Sequence, residues 1–191
     1  MTPLPDLARH LFAPRAVAIV GASDNVAHPA SRPLAFLRRH GFAGPVYPLN
    51  RSRETVMGEP AWRSFGELPE RPDLAFILVG QAQVEQVVVD CAEAGVPMAV
   101  VLADGFAESG PEGAARQRHI RRIARASGMR LVGPNSLGLC NTHTGLALTG
   151  NAAFRTERLI PGRLAVLSQS GSILGTLLSR GQARGIGFSK M

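Results

Sequence analysis

Cysteine is scarce in this chain. Only Cys91 and Cys140 occur, far apart and without metal-ligand spacing, which excludes a disulfide framework and a cysteine-built zinc site. Long apolar runs are also missing. The longest, residues 74–79 and 97–103, fall far short of the roughly 20 residues that span a bilayer. The first ten residues lack the apolar core of a signal peptide. These absences point to a cytoplasmic chain with no membrane partner. Aromatics make up 5% and are rarely interleaved with basic residues, which argues against nucleic acid as a partner. His10, His28, His40, His119 and His143 show no paired spacing, so each reads as a surface or turn residue. Neither a metal site nor a catalytic residue is expected in this chain.

Positive charge is plentiful. The net charge is +7 and nearly all of the cations are arginine. That admits a polyanionic partner, including a small phosphorylated ligand. With 45% apolar residues, the 191-residue chain can bury a substantial core.

Apolar runs alternate with amphipathic segments. Ala16-Val17-Ala18-Ile19-Val20, Pro45-Val46-Tyr47-Pro48-Leu49, residues 74–79, Met98-Ala99-Val100-Val101-Leu102 and Arg130-Leu131-Val132 read as strands. They are continuously apolar, as strands covered on both faces are. The prolines of the second suit an edge or a strand end. Between them, residues 32–40, 81–94 and 111–127 carry helical spacing and stop at Gly41, Gly95 and Gly128. Arg116, Arg118, Arg121, Arg122 and Arg125 read as a solvated face of the third helix. The expected fold is α/β, a Rossmann-like doubly wound parallel sheet. Residues 136–160 read as loop and linker. Arg163-Leu164-Ala165-Val166-Leu167 then reads as another buried strand, residues 172–183 as a helix, and Ile186-Gly187-Phe188 as a fresh apolar start. This predicts a Rossmann-like domain over residues 1–150. Residues 151–191 are then the linker and truncated start of a second α/β domain.

In doubly wound sheets ligands sit at the carboxyl ends of the strands. Those ends here are Gly21-Ala22-Ser23, Asn50-Arg51, Gly80-Gln81, Ala103-Asp104-Gly105 and Gly133-Pro134-Asn135. Each is small, polar or glycine, in contrast to the apolar runs before it. Gly21 allows a phosphate to approach the backbone, or simply makes a tight turn. The glycine-rich dinucleotide fingerprint is incomplete, because no glycine follows Gly21 before Gly41. After the second strand an NAD site wants an acid; this chain has Asn50-Arg51-Ser52-Arg53. Arginine there suits a phosphate on the ribose, as in NADP or coenzyme A, or is a solvent-exposed pair. Asp104 either accepts hydrogen bonds from a ligand or caps the next turn. The segment Gly133-Pro134-Asn135-Ser136-Leu137-Gly138 is a site or a structural turn. Ser168-Gln169-Ser170-Gly171 puts small polar residues at a strand-to-helix turn, a second anion cradle.

Five segments occur in an order that resembles a known family. They are Val17-Ala18-Ile19-Val20-Gly21-Ala22-Ser23, Gly44-Pro45-Val46-Tyr47-Pro48-Leu49-Asn50, Gly105-Phe106-Ala107-Glu108, Gly133-Pro134-Asn135-Ser136-Leu137-Gly138 and Leu167-Ser168-Gln169-Ser170-Gly171. The chain resembles the N-terminal part of NDP-forming (ADP-forming) acyl-CoA synthetases, relatives of the succinyl-CoA synthetase α subunit. The resemblance implies a CoA-binding domain followed by the start of a flavodoxin-like ligase domain. It implies a parent reaction joining a carboxylic acid to CoA through a phosphohistidine and an acyl phosphate, with ATP or ADP and Mg in the complete enzyme. It also implies partners: the remaining synthetase domains or a β-type subunit. By position, Ser23 and its neighbours Gly21 and Ala22 meet the CoA phosphates. Asn50, Arg51 and Arg53 lie near the nucleotide end. Val79, Gly80, Ala103, Asp104 and Gly105 line the site. Asn135 points to the reaction centre, and Ser168, Ser170 and Gly171 cradle a phosphoryl group. No histidine here matches the phosphorylated one, so this chain is expected to bind CoA without completing the reaction. The chain departs from the family at His28-Pro29-Ala30-Ser31, at Val79-Gly80-Gln81, where Val-Pro-Ala is common, and at Ser136, where cysteine is common. Two other readings remain open: a non-catalytic CoA-binding regulatory module of an acetyltransferase fusion, and an NADP-binding Rossmann protein.

Overall fold

The five apolar runs become one parallel sheet in the computed structural model, which describes residues 4–191. In chain order the elements are α1 (Leu4–Phe12), β1 (Val17–Val20), α2 (Arg32–Arg39), β2 (Val46–Leu49), β3 (Thr55–Val56), β4 (Glu59–Pro60), β5 (Leu74–Ile77), α3 (Gln81–Glu93), β6 (Met98–Val101), α4 (Pro111–Ala126), β7 (Arg130–Val132), β8 (Gly138–Asn141), β9 (Leu146–Thr149), β10 (Pro161–Ala165), α5 (Gly171–Gln182) and β11 (Phe188–Lys190). The main sheet runs β2-β1-β5-β6-β7. The chain steps outward from β1 to β2 and then returns to the other side of β1 as β5. Strand order therefore reverses between β1 and β5. Register is regular across this point: Val17 pairs with both Val46 and Leu74, and Val20 with both Leu49 and Ile77.

The edge position of β2 explains its proline. Pro48 accepts a hydrogen bond from Trp62 N (3.0 Å) on the outer side, and Asn50 N donates to Trp62 O (2.9 Å) on that side. The missing N–H of Pro48 faces outward, where no ladder bond is lost.

Helices and a hairpin cover the two faces. On one, α3 and α4 pack Val84, Val88, Cys91, Ile120 and Ala124 against Ala18, Ala75, Ile77 and Val101. On the other, Leu34 and Leu37 of α2 join Leu139, Leu146 and Leu148 over Ile19, Phe76 and Val100. Residues 136–160, expected as loop and linker, thus contain a buried antiparallel hairpin, β8–β9. Its alternate residues, Cys140 and Ala147, face a third cluster with Phe36, Phe154, Leu178 and Phe188. Both faces are dry, so the hairpin shows no polar alternation. Burial pushes the Cys140 thiol up to about 12 and raises that of Cys91 as well, so both stay protonated.

A second sheet, β10-β11-β8-β9, draws strands from both sides of residue 150. The segment expected as a buried strand over 163–167 is β10, at the edge of this sheet. It is exposed at every residue but the half-buried Gly162. Leu164 is 55% and Leu167 99% exposed. Among the described residues β10 is paired, irregularly, with β11 alone. Two further elements carry no expectation from sequence: α1, and the β3–β4 ribbon, whose turn residues Met57 and Gly58 both have positive φ.

At the amino end of β5, remote from the ligand end, Asp73 is fully buried. It accepts hydrogen bonds from Arg9 Nη1 (2.8 Å), Arg15 Nε (3.1 Å), Arg15 Nη2 (3.1 Å) and Arg15 N (3.0 Å). Burial alone would raise its pKa. The bonds from Arg15 and Arg9 outweigh that and hold the carboxyl well below the usual range. This pins α1 and the start of β1 to the sheet. No helix among the described residues is long and apolar enough to cross a membrane.

Candidate ligand site at the strand ends

The reversal between β1 and β5 opens a cleft of about 390 Å³ at the strand carboxyl ends. Gly21, Leu49, Asn50, Arg51, Ser52 and Val79 line it from the sheet side, Ala82, Gln83, Gln86, Val87 and Asp90 from α3, and Arg63, Ser64 and Phe65 from the connection before β5. Gly21 is required here. Its φ is +83°, and a Cβ on it would stand 3.0 Å from Val79 Cγ1. Asn50 braces the rim: its Nδ2 donates to Ala22 O (3.0 Å) and its Oδ1 accepts from Ser52 N (2.9 Å). Gly80 is the N-cap of α3 and offers no side chain to the first amides, which leaves donors for an anion. Arg51 is exposed and pairs with Asp90 at 3.5 Å.

Of the residues expected at this end, Gly21, Asn50, Arg51 and Val79 come together. Ala22 is buried, and its carbonyl holds Asn50. Ser23 turns inward on its own loop and accepts from Asn25 N (3.1 Å). Arg53 points away and pairs with Asp24, which also accepts from Met57 N.

A second, larger groove of about 850 Å³ lies by the Gly133–Gly138 segment and the turn before α5. It brings together Asn135, Ser136, Ser168, Gln169 and Gly171 with Glu108, Gln117 and Asn151. Asn135 has φ +57°, a conformation asparagine tolerates. Its N–H donates to Ala103 O (2.8 Å) and that of Ser136 to Val101 O (3.1 Å), which locks the turn onto β6. Ser170 caps α5 through Ile173 N (3.4 Å), and Ser168 Oγ accepts from Ser170 N (3.0 Å). Asn151 Nδ2 donates to Gly171 O (2.9 Å).

Between the two lies the Ala103–Gly105 turn. Asp104 is exposed, and the turn is capped by another acid: Glu108 Oε1 accepts from Gly105 N (2.8 Å) and Phe106 N (3.1 Å). Backbone hydrogen bonds to Glu108 lower its pKa. Arg116, read as part of a solvated face, is half-buried and donates to Gly105 O (3.0 Å).

Sequence reasoning missed Arg63, Gln83, Gln86 and Asn151. Gln83 and Gln86 were legible as the polar positions on the first turns of α3. Arg63 and Asn151 lie in connections whose path depends on long-range pairing.

An open parallel sheet with an arginine-bearing cleft at its strand reversal defines a doubly wound α/β domain for a phosphorylated ligand. The chain belongs to the CoA binding domain family, whose model matches residues 15–142. Over 95% of its length it is 38% identical to the acetate–CoA ligase (ADP-forming) I of Archaeoglobus fulgidus, spanning 26% of that protein. It is 36% identical, again over 95%, to the α subunit of acetate–CoA ligase (ADP-forming) II of Pyrococcus furiosus, spanning 38% of that chain. Among solved structures it resembles a dinucleotide forming acetyl-coenzyme A synthetase 1 of Ca. Korarchaeum cryptofilum in complex with phosphate and ADP. That match has a TM-score of 0.89 and 33% identity, covering 98% of this chain and 39% of the other. The chain thus spans about a quarter to two fifths of these relatives' lengths.

Proposed function

We propose that this chain holds coenzyme A across the carboxyl ends of β1, β2, β5 and β6, as the CoA-binding part of an ADP-forming acid–CoA ligase. The observation that carries this is the cleft at the β1/β5 reversal. Its polar side, with Arg51, Gln83, Gln86 and the uncapped amides of α3, matches a polyphosphate. Its apolar side, with Val20, Leu49, Phe65 and Val79, matches an adenine or an alkyl arm.

In this reading Gly21 and Gly80 let backbone amides approach the diphosphate, and Ala22, Ser23 and Asn50 hold that loop in shape. Arg51 provides positive potential at the nucleotide end, and Arg53, paired with Asp24, braces the loop behind it. Val79, Ala103, Asp104 and Gly105 flank the arm on its way to Asn135. When bound, CoA supplies a thiol nucleophile. Ser168 and Gly171 line the larger groove, Ser170 caps the helix beside it, and this turn would receive a phosphoryl-bearing partner. ATP or ADP, Mg, the carboxylic acid and a β-type subunit or further ligase domains belong to the complete enzyme, which we place in the cytoplasm. The functional division falls near residue 150, with the CoA side before it and the phosphoryl side after.

Titration calorimetry on the 191-residue chain tests this. CoA should give saturable heat, and NADP⁺ should not displace it. Absence of binding at millimolar CoA would overturn the proposal.

A further inference from the structure

Arg63 lies outside every motif of the chain, yet the fold brings it to the same cleft as Arg51. The residue before it, Trp62, forms a parallel bridge to Leu49 and exchanges backbone hydrogen bonds with Pro48 and Asn50 (3.0 and 2.9 Å). It therefore acts as a sixth, one-residue strand outside β2. The Trp62 ring packs edge-on against Tyr47 at 5.1 Å, and Arg63 N donates to Glu67 Oε2 (2.9 Å). Arg63 thus leaves a rigid backbone one strand over from Arg51. Both line the 390 Å³ cleft and the adjoining 470 Å³ cavity that continues it outward.

The two cations differ in their partners. Arg51 faces Asp90 at 3.5 Å, and Asp90 also accepts from Gln86 Nε2 at 2.9 Å. The Arg63 guanidinium has no acidic partner among the described residues. In the inner cleft these two arginines face one carboxylate, Asp90, while Glu70, Glu93 and Arg71 line the outer cavity; the inner mouth is an anion site with its own weak counter-ion. A solvent-exposed pair such as Arg51–Asp90 contributes little, about 0–1 kcal/mol, so a dianion can displace it.

We infer that Arg63, with Arg51 freed from Asp90, clamps a phosphate monoester on the ribose of the bound nucleotide, and that Asp90 holds that place in its absence. This rests on the coenzyme A reading and names the residue that selects CoA over its 3′-dephospho form. A dianionic phosphate takes two guanidinium forks; a ribose hydroxyl leaves both in water.

Calorimetry of the wild type, Arg63→Ala and Asp90→Asn with CoA and 3′-dephospho-CoA decides it. Wild type should prefer CoA. Arg63→Ala should bind CoA about tenfold more weakly, the size of one charge-assisted hydrogen bond, with dephospho-CoA unchanged. Asp90→Asn should tighten CoA a fewfold and leave dephospho-CoA unchanged. Equal affinity of wild type for the two ligands overturns the clamp and leaves the CoA reading standing. So does an Arg63→Ala loss that is equal for both ligands, or absent for both. Failure of wild type to bind either ligand overturns both. Matching urea midpoints for the three proteins show that binding, and not folding, has changed.

Discussion

Residues 16–20 and 163–167 both read as buried strands, yet β1 and β10 have opposite surroundings. Every residue of β1 is buried; β10 is exposed at all but one position. β1 sits inside a five-stranded sheet with α3 on one face and α2 with the β8–β9 hairpin on the other. β10 has one neighbouring strand, and α5 near it still exposes Ile173 and Leu177. Burial is therefore a property of what a strand is packed against, and an apolar run only makes burial favourable when a neighbour exists.

The contrast can be pressed by mutation. Phe76→Ala, in β5 beside β1, removes a fully buried ring and should cost about 3–5 kcal/mol, read as a large drop in urea midpoint. Asp73→Asn, at the other end of the same strand, should cost about 2 kcal/mol at neutral pH and flatten the acid side of the stability profile. The sign follows from the depressed pKa of Asp73. The unfolded chain takes up the proton first, so the stabilisation is complete above the unfolded carboxylate value and drains away as pH falls below about 4–5. If Asp73→Asn unfolds along the same acid curve as wild type, the clamp at the base of the sheet contributes nothing. Gly21→Ala forces a side chain to φ +83° against Val79. It should cost about 1–2 kcal/mol and weaken CoA binding in calorimetry. Leu167→Ser, on the 99% exposed residue, should shift stability by less than about 0.5 kcal/mol. A loss like that at Phe76 would mean that the C-terminal unit buries its apolar face in solution.

The central fold was legible because strands covered on both faces are continuously apolar. Residues 16–20, 74–79 and 98–102 show this plainly, and the helices between them stop at glycines with positive φ such as Gly41, Gly95 and Gly128. The prolines of residues 45–49 suited an edge or a strand end, and β2 is an edge. The β8–β9 hairpin was not legible. Its apolar residues form two short groups around Asn141–Gly145, and the elements that make both of its faces dry come from elsewhere in the chain. The site was half legible. Strand ends named Gly21, Asn50 and Arg51 and the family resemblance added Val79, all of which line the cleft; the turn after β6 is capped by Glu108 and not by Asp104, because Glu108 lies where the backbone turns back to present both N–H groups to one carboxylate.

From local information the sequence determined the α/β alternation, the positions of the strand ends and the absence of an acid after β2. It also held the ordered motifs that mark the CoA binding domain family. Only tertiary structure decided that the sheet reverses between β1 and β5, which makes those ends converge. It alone set Trp62 outside β2, which carries Arg63 to Arg51. It alone left β10 bare while β1 is buried, because hydrogen-bond pairing and burial depend on which distant segments meet.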